Sequence, residues 1–187
     1  MGPAKPAPLL SDVVRSISVD VAYTTFREST MAVLLELVPA IRPGFAYPGG
    51  ASKTECHFLD FVISGQSLWE QPRKPDMVSV LCSEYTAKAH DESVRAINRL
   101  LLIEKANLPD DRRSLFIWSE CGDSGCGAIT GHIVRDGGAI VWGDFGHQNN
   151  YEDHIALGPC EGLGPFMIDA KCYESLFVEA LGKLAAP

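Results

Sequence analysis

The stretch SECGDSGCGAITGHI, residues 119–133, contains the side chains of this chain that are best suited to chemistry. Ser124 stands in a Gly-Asp-Ser-Gly run, a setting in which a hydroxyl can act as a nucleophile. Cys121 and Cys126 lie on either side of it, and such a pair can bind zinc, form a disulfide or take part in thiol redox chemistry. Each of these chemistries needs different partners elsewhere in the chain.

Ser124 lacks the sequence context of an activated serine. GDSG opens the nucleophile loop of trypsin-like serine proteases, in which a histidine base and a buried aspartate activate the serine. His57 and His90 are the only upstream histidines. Such enzymes are nearly all β, whereas this sequence predicts at least two helices, and the run continues as Cys-Gly and not as Gly-Gly-Pro. We therefore do not expect protease chemistry.

The two cysteines provide at most half of a zinc site. A tetrahedral site needs two more ligands, and no further residues form a second close pair. The candidates are Cys160, Cys172, His147 and His154. A redox thiol needs a neighbouring positive charge, whereas Glu120 and Asp123 are acidic. A metal-binding or redox enzyme that uses zinc or thiol chemistry at Cys121 and Cys126 is therefore the alternative hypothesis.

The preferred interpretation of the stretch is a structural turn without a cofactor. Glycines permit the positive φ of a tight, irregular connection, and an aspartate can accept backbone N–H bonds within it. The cysteines then act as small, weakly polar fillers at the two ends. The predicted turn residues are Cys121, Gly122, Asp123, Gly125, Cys126 and Gly127.

Charge narrows the classes of function. The chain has 187 residues and a formal net charge of −8, whereas nucleic-acid binders need clustered Lys and Arg. Residues 136–170 contain no Lys or Arg. The acidic residues of this segment are Asp136, Asp144, Glu152, Asp153, Glu161 and Asp169. A surface of one sign steers association with a basic partner.

Length and hydropathy predict one cytoplasmic domain. With 46% hydrophobic residues the chain is long enough for one core. No apolar run approaches the roughly 20 residues that span a bilayer, and the N-terminus lacks the apolar block of a secretory signal. We therefore expect no membrane partner, and six cysteines that remain thiols in a reducing compartment.

The order of elements predicts an α+β domain over 13–187, preceded by a flexible arm at 1–12 that is rich in Pro and Ala. Helices are expected at 29–38, at 91–105 and from 169 onwards. Strands are expected at 13–22, 57–63, 77–81, 114–120, 128–135 and 139–145. Asp136-Gly137-Gly138 predicts a hairpin between the last two. The last three strands would form an antiparallel meander packed by about three helices.

Several motifs resemble those of a group of small, poorly characterised bacterial proteins, many of them actinobacterial. Their signature reads approximately CGD-x-GCGA, then W-x-DF, then PF-x-[FI]-D before a C-terminal helix with a tyrosine. Here it is carried by Cys121, Gly122, Asp123, Gly125, Cys126, Gly127, Ala128, Trp142, Asp144, Phe145, Pro165, Phe166, Asp169 and Tyr173. The segment Gly65-Gln66-Ser67-Leu68 is similar too. The resemblance implies no established activity.

Small size, acidity and the lack of a convergent catalytic set favour a binding protein. We predict an immunity protein that neutralises a cognate protein toxin through an acidic surface, with exposed aromatic side chains as anchors. The expected partner-binding residues are Asp144, His147, Tyr151, Glu152, Asp153 and Glu161. No catalytic residue is assigned, and the cysteine-centred enzyme stays open as the alternative.

Overall fold

The computed structural model describes residues 32–50, 52–71, 76–82, 89–122, 124–149, 151–152 and 154–184. The predicted arm at 1–12, the predicted strand at 13–22 and the first residues of the predicted helix at 29–38 lie outside these ranges. Neither helix in the described ranges has the length and apolar character needed to cross a bilayer.

Ten strands and two α-helices follow one another along the described residues. They are β1 (Leu35–Arg42), β2 (Phe45–Ala46), β3 (Ser52–Lys53), β4 (Cys56–Ile63), β5 (Gln66–Ser67), β6 (Met77–Ser79), α1 (Ala89–Leu100), β7 (Arg112–Trp118), β8 (Ala128–Asp136), β9 (Ala139–Gln148), β10 (Phe166–Asp169) and α2 (Ala170–Leu184). The fold is therefore mostly β.

A five-stranded antiparallel sheet is the largest element, with the order β10-β9-β8-β7-β6. The hairpin between β8 and β9 pairs Asp136 with Ala139, and Gly137 has a φ of +58° in its turn. Asp-Gly-Gly is suited to this turn because glycine adopts positive φ without steric strain. The three strands predicted as a meander are thus the inner part of a wider sheet, extended by β6 on one side and β10 on the other.

The prediction of an α+β domain with about three helices is wrong. Residues 35–38, expected to be helical, belong to β1, which pairs with β4 from Leu35 to Arg42. Leu34, Leu35 and Val38 have helical spacing, but Leu34 and Val38 are exposed, so this spacing does not mark a buried face. Pairing with β4 supplies the backbone hydrogen bonds of the segment and decides its conformation.

A second sheet, of order β1-β4-β5, packs over the first. The Phe61 ring meets the rings of Phe116 and Trp142 edge to face, at centroid distances of 5.7 and 5.3 Å. Backbone hydrogen bonds join the two sheets near both edges of the larger one. Leu59 N–H donates to Leu81 O at 3.2 Å, and Val33 N–H donates to Met167 O at 2.7 Å. The curled sheet is therefore closed over one shared core.

The two helices are tied together through Tyr173 on α2. Its hydroxyl donates to the carbonyl oxygen of Leu100 at the end of α1, at 2.8 Å, and accepts from Trp142 Nε1 at 3.3 Å. Burial raises the pKa of Tyr173 well above its usual value, so the hydroxyl keeps its proton and can donate. The predicted helix at 91–105 ends earlier than expected, at Leu100, and Leu102 has a φ of +62°.

Candidate functional site

The end of β9 and the acidic segment after it form a closed loop, here called the acidic loop (residues 147–161, with 150 and 153 outside the described residues). His147 and Ala156 donate to and accept from each other's backbone, with both N···O distances 2.8 Å. The loop lies directly on β9, because a Cβ at Gly146 would overlap the side chain of Ile155. A glycine in β9 is therefore required for the loop to close at this point.

The tip of the acidic loop is held by the side chain of Asn149. Its Oδ1 accepts the backbone N–H groups of Tyr151 and Glu152, both at 2.9 Å, and its Nδ2 donates to Glu152 Oε2 at 3.1 Å. Asparagine commonly organises turns in this way. The turn leaves Tyr151 with 79% of its surface exposed, so an aromatic ring is presented to solvent beside a carboxylate.

Other expected partner-binding residues occupy different positions. His147 is half-buried at the base of the acidic loop, and Glu161 is exposed at its far end. Leu157, between them in the chain, is 55% exposed. Asp153 lies outside the described residues. The acidic loop thus presents apolar, aromatic and acidic groups at the surface.

Asp144 precedes the acidic loop, and its carboxylate is matched by a buried cation. Arg112 Nη1 donates to Asp144 Oδ2 at 2.8 Å, and the Arg112 side chain is fully buried while that of Asp144 is 53% exposed. Arg112 also donates through Nε to Thr130 Oγ1 at 2.9 Å and through Nη2 to the Asp144 carbonyl. Asp144 therefore stabilises the buried Arg112, which would otherwise be a costly uncompensated charge.

A β-bulge places Asp144 in this position. Thr130 pairs with Gly146 and His132 with Gly143, so Asp144 and the residue after it stand opposite a single residue of β8. Asp144 has a φ of +53° within the bulge. Bulges of this kind redirect a side chain relative to the regular strand alternation, and here the carboxylate is directed towards Arg112.

His132 completes the group around Asp144. Its Nδ1 lies 3.1 Å from Asp144 Oδ2, and its Nε2 lies 2.6 Å from the carbonyl oxygen of Asp110. Both neighbours are acceptors, so a ring nitrogen that carries hydrogen can donate to the one it faces. No pattern in the sequence indicates this contact, because the two partners of His132 come from separate segments.

The glycine–cysteine corner, residues 121–127, has the predicted irregular backbone in part. Gly122 and Gly127 have φ values of +62° and +138°. A Cβ at Gly127 would lie 2.8 Å from Trp118 Nε1, so the position also requires a small residue. Gly125 instead lies in the 3₁₀ turn Ser124–Cys126, in which φ is negative. Cys121 and Cys126 are exposed, and Asp123 lies outside the described residues.

Ser124 takes part in a polar cluster with Asn107 and Ser114. Its Oγ accepts from Asn107 Nδ2 at 3.2 Å and lies 3.0 Å from Ser114 Oγ. The cluster borders a cavity of about 30 Å³. An amide and a hydroxyl cannot take a proton from a serine as an imidazole does. The fold is mostly β, so helix content no longer separates this chain from the β-rich serine proteases.

The described ranges contain no group of three or more His, Cys, Asp or Glu side chains placed to hold a metal ion. The zinc hypothesis for Cys121 and Cys126 therefore gains no additional ligand from these residues.

Two segments that carry the resemblance line one groove. Gln66 in β5 and Leu68 just after it line a groove of about 220 Å³ together with Pro165 and Phe166. More than half of the exposed lining is polar, and the Gln66 and Gln71 amides are among its polar groups.

Three residues that shape the site were missed by the sequence analysis. Arg112 and His132 flank Asp144, and neither has a local signal. Asn149 has one, because Asn-Asn before an aromatic residue is typical of a turn.

Comparisons of this chain with protein-family models, with curated proteins and with solved structures found no match. The fold and site describe a mostly antiparallel β protein with a closed acidic loop on its β9 strand. The resemblance to the actinobacterial group remains a prediction from motifs, although two of its residues, Trp142 and Tyr173, meet in the core.

Proposed function

We propose that this chain is a non-enzymatic binding protein that acts in the cytoplasm as an immunity protein, blocking a cognate toxin with a basic surface. One observation carries the proposal. Tyr151, 79% exposed, stands at the tip of a loop whose backbone is held by Asn149 and closed by the His147–Ala156 bridge.

The preorganisation of the acidic loop supports a role in binding. Association loses free energy when flexible loops must be ordered, and a loop already held in one conformation avoids much of this loss. Tyrosine is among the residues that contribute most to protein interfaces, because it buries a large rigid surface and keeps a polar group. Leu157, 55% exposed, adds apolar surface in the same loop.

Charge supports a basic partner. Glu152 and Glu161 are exposed in the acidic loop, and residues 136–170 contain no Lys or Arg. The charge of Asp144 is matched by Arg112, so the long-range attraction in this proposal comes mainly from the loop's own carboxylates. Complementary charge chiefly raises the association rate and makes binding dependent on salt.

The test starts with co-purification of the tagged protein and its partner from the source bacterium. The partner is then produced alone, and its affinity is measured for wild type and for Tyr151→Ala. We expect Tyr151→Ala to weaken binding by about 30-fold, the loss typical of an aromatic hot spot. Tyr47→Ala is the matched control, since Tyr47 is 42% exposed and lies outside the acidic loop.

Charge reversal and growth provide the second part of the test. Glu152→Lys should slow association and reduce its salt dependence, whereas Glu36→Lys, an equal charge change at an exposed position on β1, should do neither. The partner should stop growth when expressed alone and permit growth when expressed with this protein. A harmless partner, or one that binds wild type and both loop variants equally, would contradict the proposal.

A further inference from the structure

Cys56 and Cys82 form a thiol pair that the sequence does not indicate. The two sulfur atoms lie 3.0 Å apart, although the residues are separated by 26 positions. Both are buried, with Cys56 4% and Cys82 0% exposed. A disulfide bond is about 2.05 Å long, so the sulfurs need to approach by only about 1 Å to become bonded.

The surrounding backbone holds the pair in place independently of the thiols. Cys56 is the first residue of β4, and β4 is joined to the segment after β6 by the hydrogen bond from Leu59 N–H to Leu81 O. The Ser93 hydroxyl donates to the carbonyl oxygen of Cys82 at 3.0 Å. Phe58 and Val78 belong to the same small apolar cluster as the two cysteines. The short distance between the sulfurs thus follows from how the two sheets pack.

We propose that Cys56 and Cys82 are an oxidation site at which a hydroperoxide converts the two thiols into a disulfide. Cys56 is the sulfur that reacts first, because it is the more exposed of the two. Arg42 is its Cα partner across β1 and β4, so the two side chains lie on the same face of the sheet. The Arg42 guanidinium is itself paired with Glu120 Oε1 at 3.1 Å.

The reaction balances in two steps. The Cys56 thiolate attacks the O–O bond of the hydroperoxide, giving a sulfenic acid and, after protonation, an alcohol, or water if the oxidant is hydrogen peroxide. The Cys82 thiol then attacks the Cys56 sulfur, the S–S bond forms, and the sulfenic oxygen leaves with the Cys82 proton as water. Two thiols lose two electrons, and the peroxide oxygens gain them. The product links β4 covalently to the chain that follows β6.

Peptide mapping of the native protein tests the site. The folded protein is treated with hydrogen peroxide, the peroxide is removed with catalase, and the protein is denatured, alkylated and digested with trypsin. Cleavage after Lys53, Arg73 and Lys88 yields peptides 54–73 and 74–88, each with a single cysteine. We expect these two peptides to be joined before reduction and separate after it, with two of the six thiols protected from alkylation.

The controls separate this pair from the exposed cysteines. Cys121→Ser should leave the linked peptides unchanged, whereas Cys56→Ser and Cys82→Ser should each abolish them. Oxidised wild type should also melt several degrees above the reduced protein, because a bridge between distant positions restricts the unfolded chain. The proposal is overturned if peptides 54–73 and 74–88 never link in wild type, or if the thiols lost lie in the peptide 114–135. Peptide mapping of wild type tests the proposed disulfide even if a serine variant does not fold.

Discussion

The fully buried Arg112 donates through Nη1 to Asp144 Oδ2 at 2.8 Å. Asp144 has a φ of +53° within a β-bulge, which directs its carboxylate towards Arg112. The half-exposed Asp144 carboxylate therefore stabilises a buried charge. An acidic residue that looks like part of a surface patch in the sequence is here the counter-charge of a core arginine.

The first prediction concerns this pair. Asp144→Asn should lower the free energy of unfolding by about 1–3 kcal/mol, because Arg112 loses its charged acceptor but not the shape of its partner. Asparagine tolerates positive φ, so the backbone is not an additional cause of the loss. Urea unfolding measures the change, with Glu36→Gln as an exposed control. A loss below about 0.5 kcal/mol, the range of ordinary surface substitutions, would contradict the assigned role.

The second prediction concerns pH and Asp60. Burial raises the pKa of Asp60 above its usual 3.8, although Ser67 Oγ and Trp69 N–H donate to its carboxylate at 2.6 and 3.1 Å. The folded state thus binds this proton more tightly than the unfolded state. The stabilising contribution of Asp60 is complete at pH values below its usual pKa and is lost as pH rises through its raised pKa.

Asp60→Asn removes this titration. The amide oxygen can still accept from Trp69 N–H, and the amide nitrogen, in the place of Oδ2, can donate to the Ser67 hydroxyl. The free energy of unfolding of wild type minus that of the variant should therefore fall as pH rises from about 4 to 7. Urea unfolding at several pH values gives the difference. A difference that rises over this interval would show that the sign of the pKa shift is the opposite.

The third prediction concerns the start of α2. Asp169 Oδ1 accepts the backbone N–H groups of Cys172 and Lys171 at 2.9 and 3.0 Å, and these bonds lower the pKa of Asp169. Asp169→Ala should lower Tm at neutral pH, since the first turn of the helix loses its cap. The difference in Tm between wild type and variant should shrink as pH falls through the lowered pKa, because protonation weakens the acceptor. Circular dichroism measures both effects, and an equal difference at pH 7 and pH 2 would exclude a charged cap.

The fourth prediction concerns the glycine–cysteine corner. Gly127→Ala should cost about 1–3 kcal/mol, because its φ is +138° and the new Cβ would lie 2.8 Å from Trp118 Nε1. Gly138→Ala is the matched control, since a Cβ there meets nothing within 4 Å. Urea unfolding followed by tryptophan fluorescence compares the two variants. Equal losses at Gly127 and Gly138 would mean that the close contact has no energetic consequence.

The sequence by itself determined the elements whose signals are local. The β8–β9 hairpin follows from Asp136-Gly137-Gly138, because few other residues accept its turn geometry. The apolar face of α2 is visible in the spacing of Tyr173 and Phe177, both of which are buried. Strand β4 was predicted to within one residue, since its apolar run lies between clear turn residues.

Only the tertiary structure decided the features that depend on partners distant in the chain. β1 is a strand because β4 satisfies its backbone groups, and no property of residues 35–38 alone conveys this. Asp144 meets Arg112 because two strands pair with a one-residue shift, and Cys56 meets Cys82 because two sheets join. Local patterns record the preferences of a few neighbouring residues, whereas these contacts depend on register and sheet packing, which are settled only when the whole core is formed.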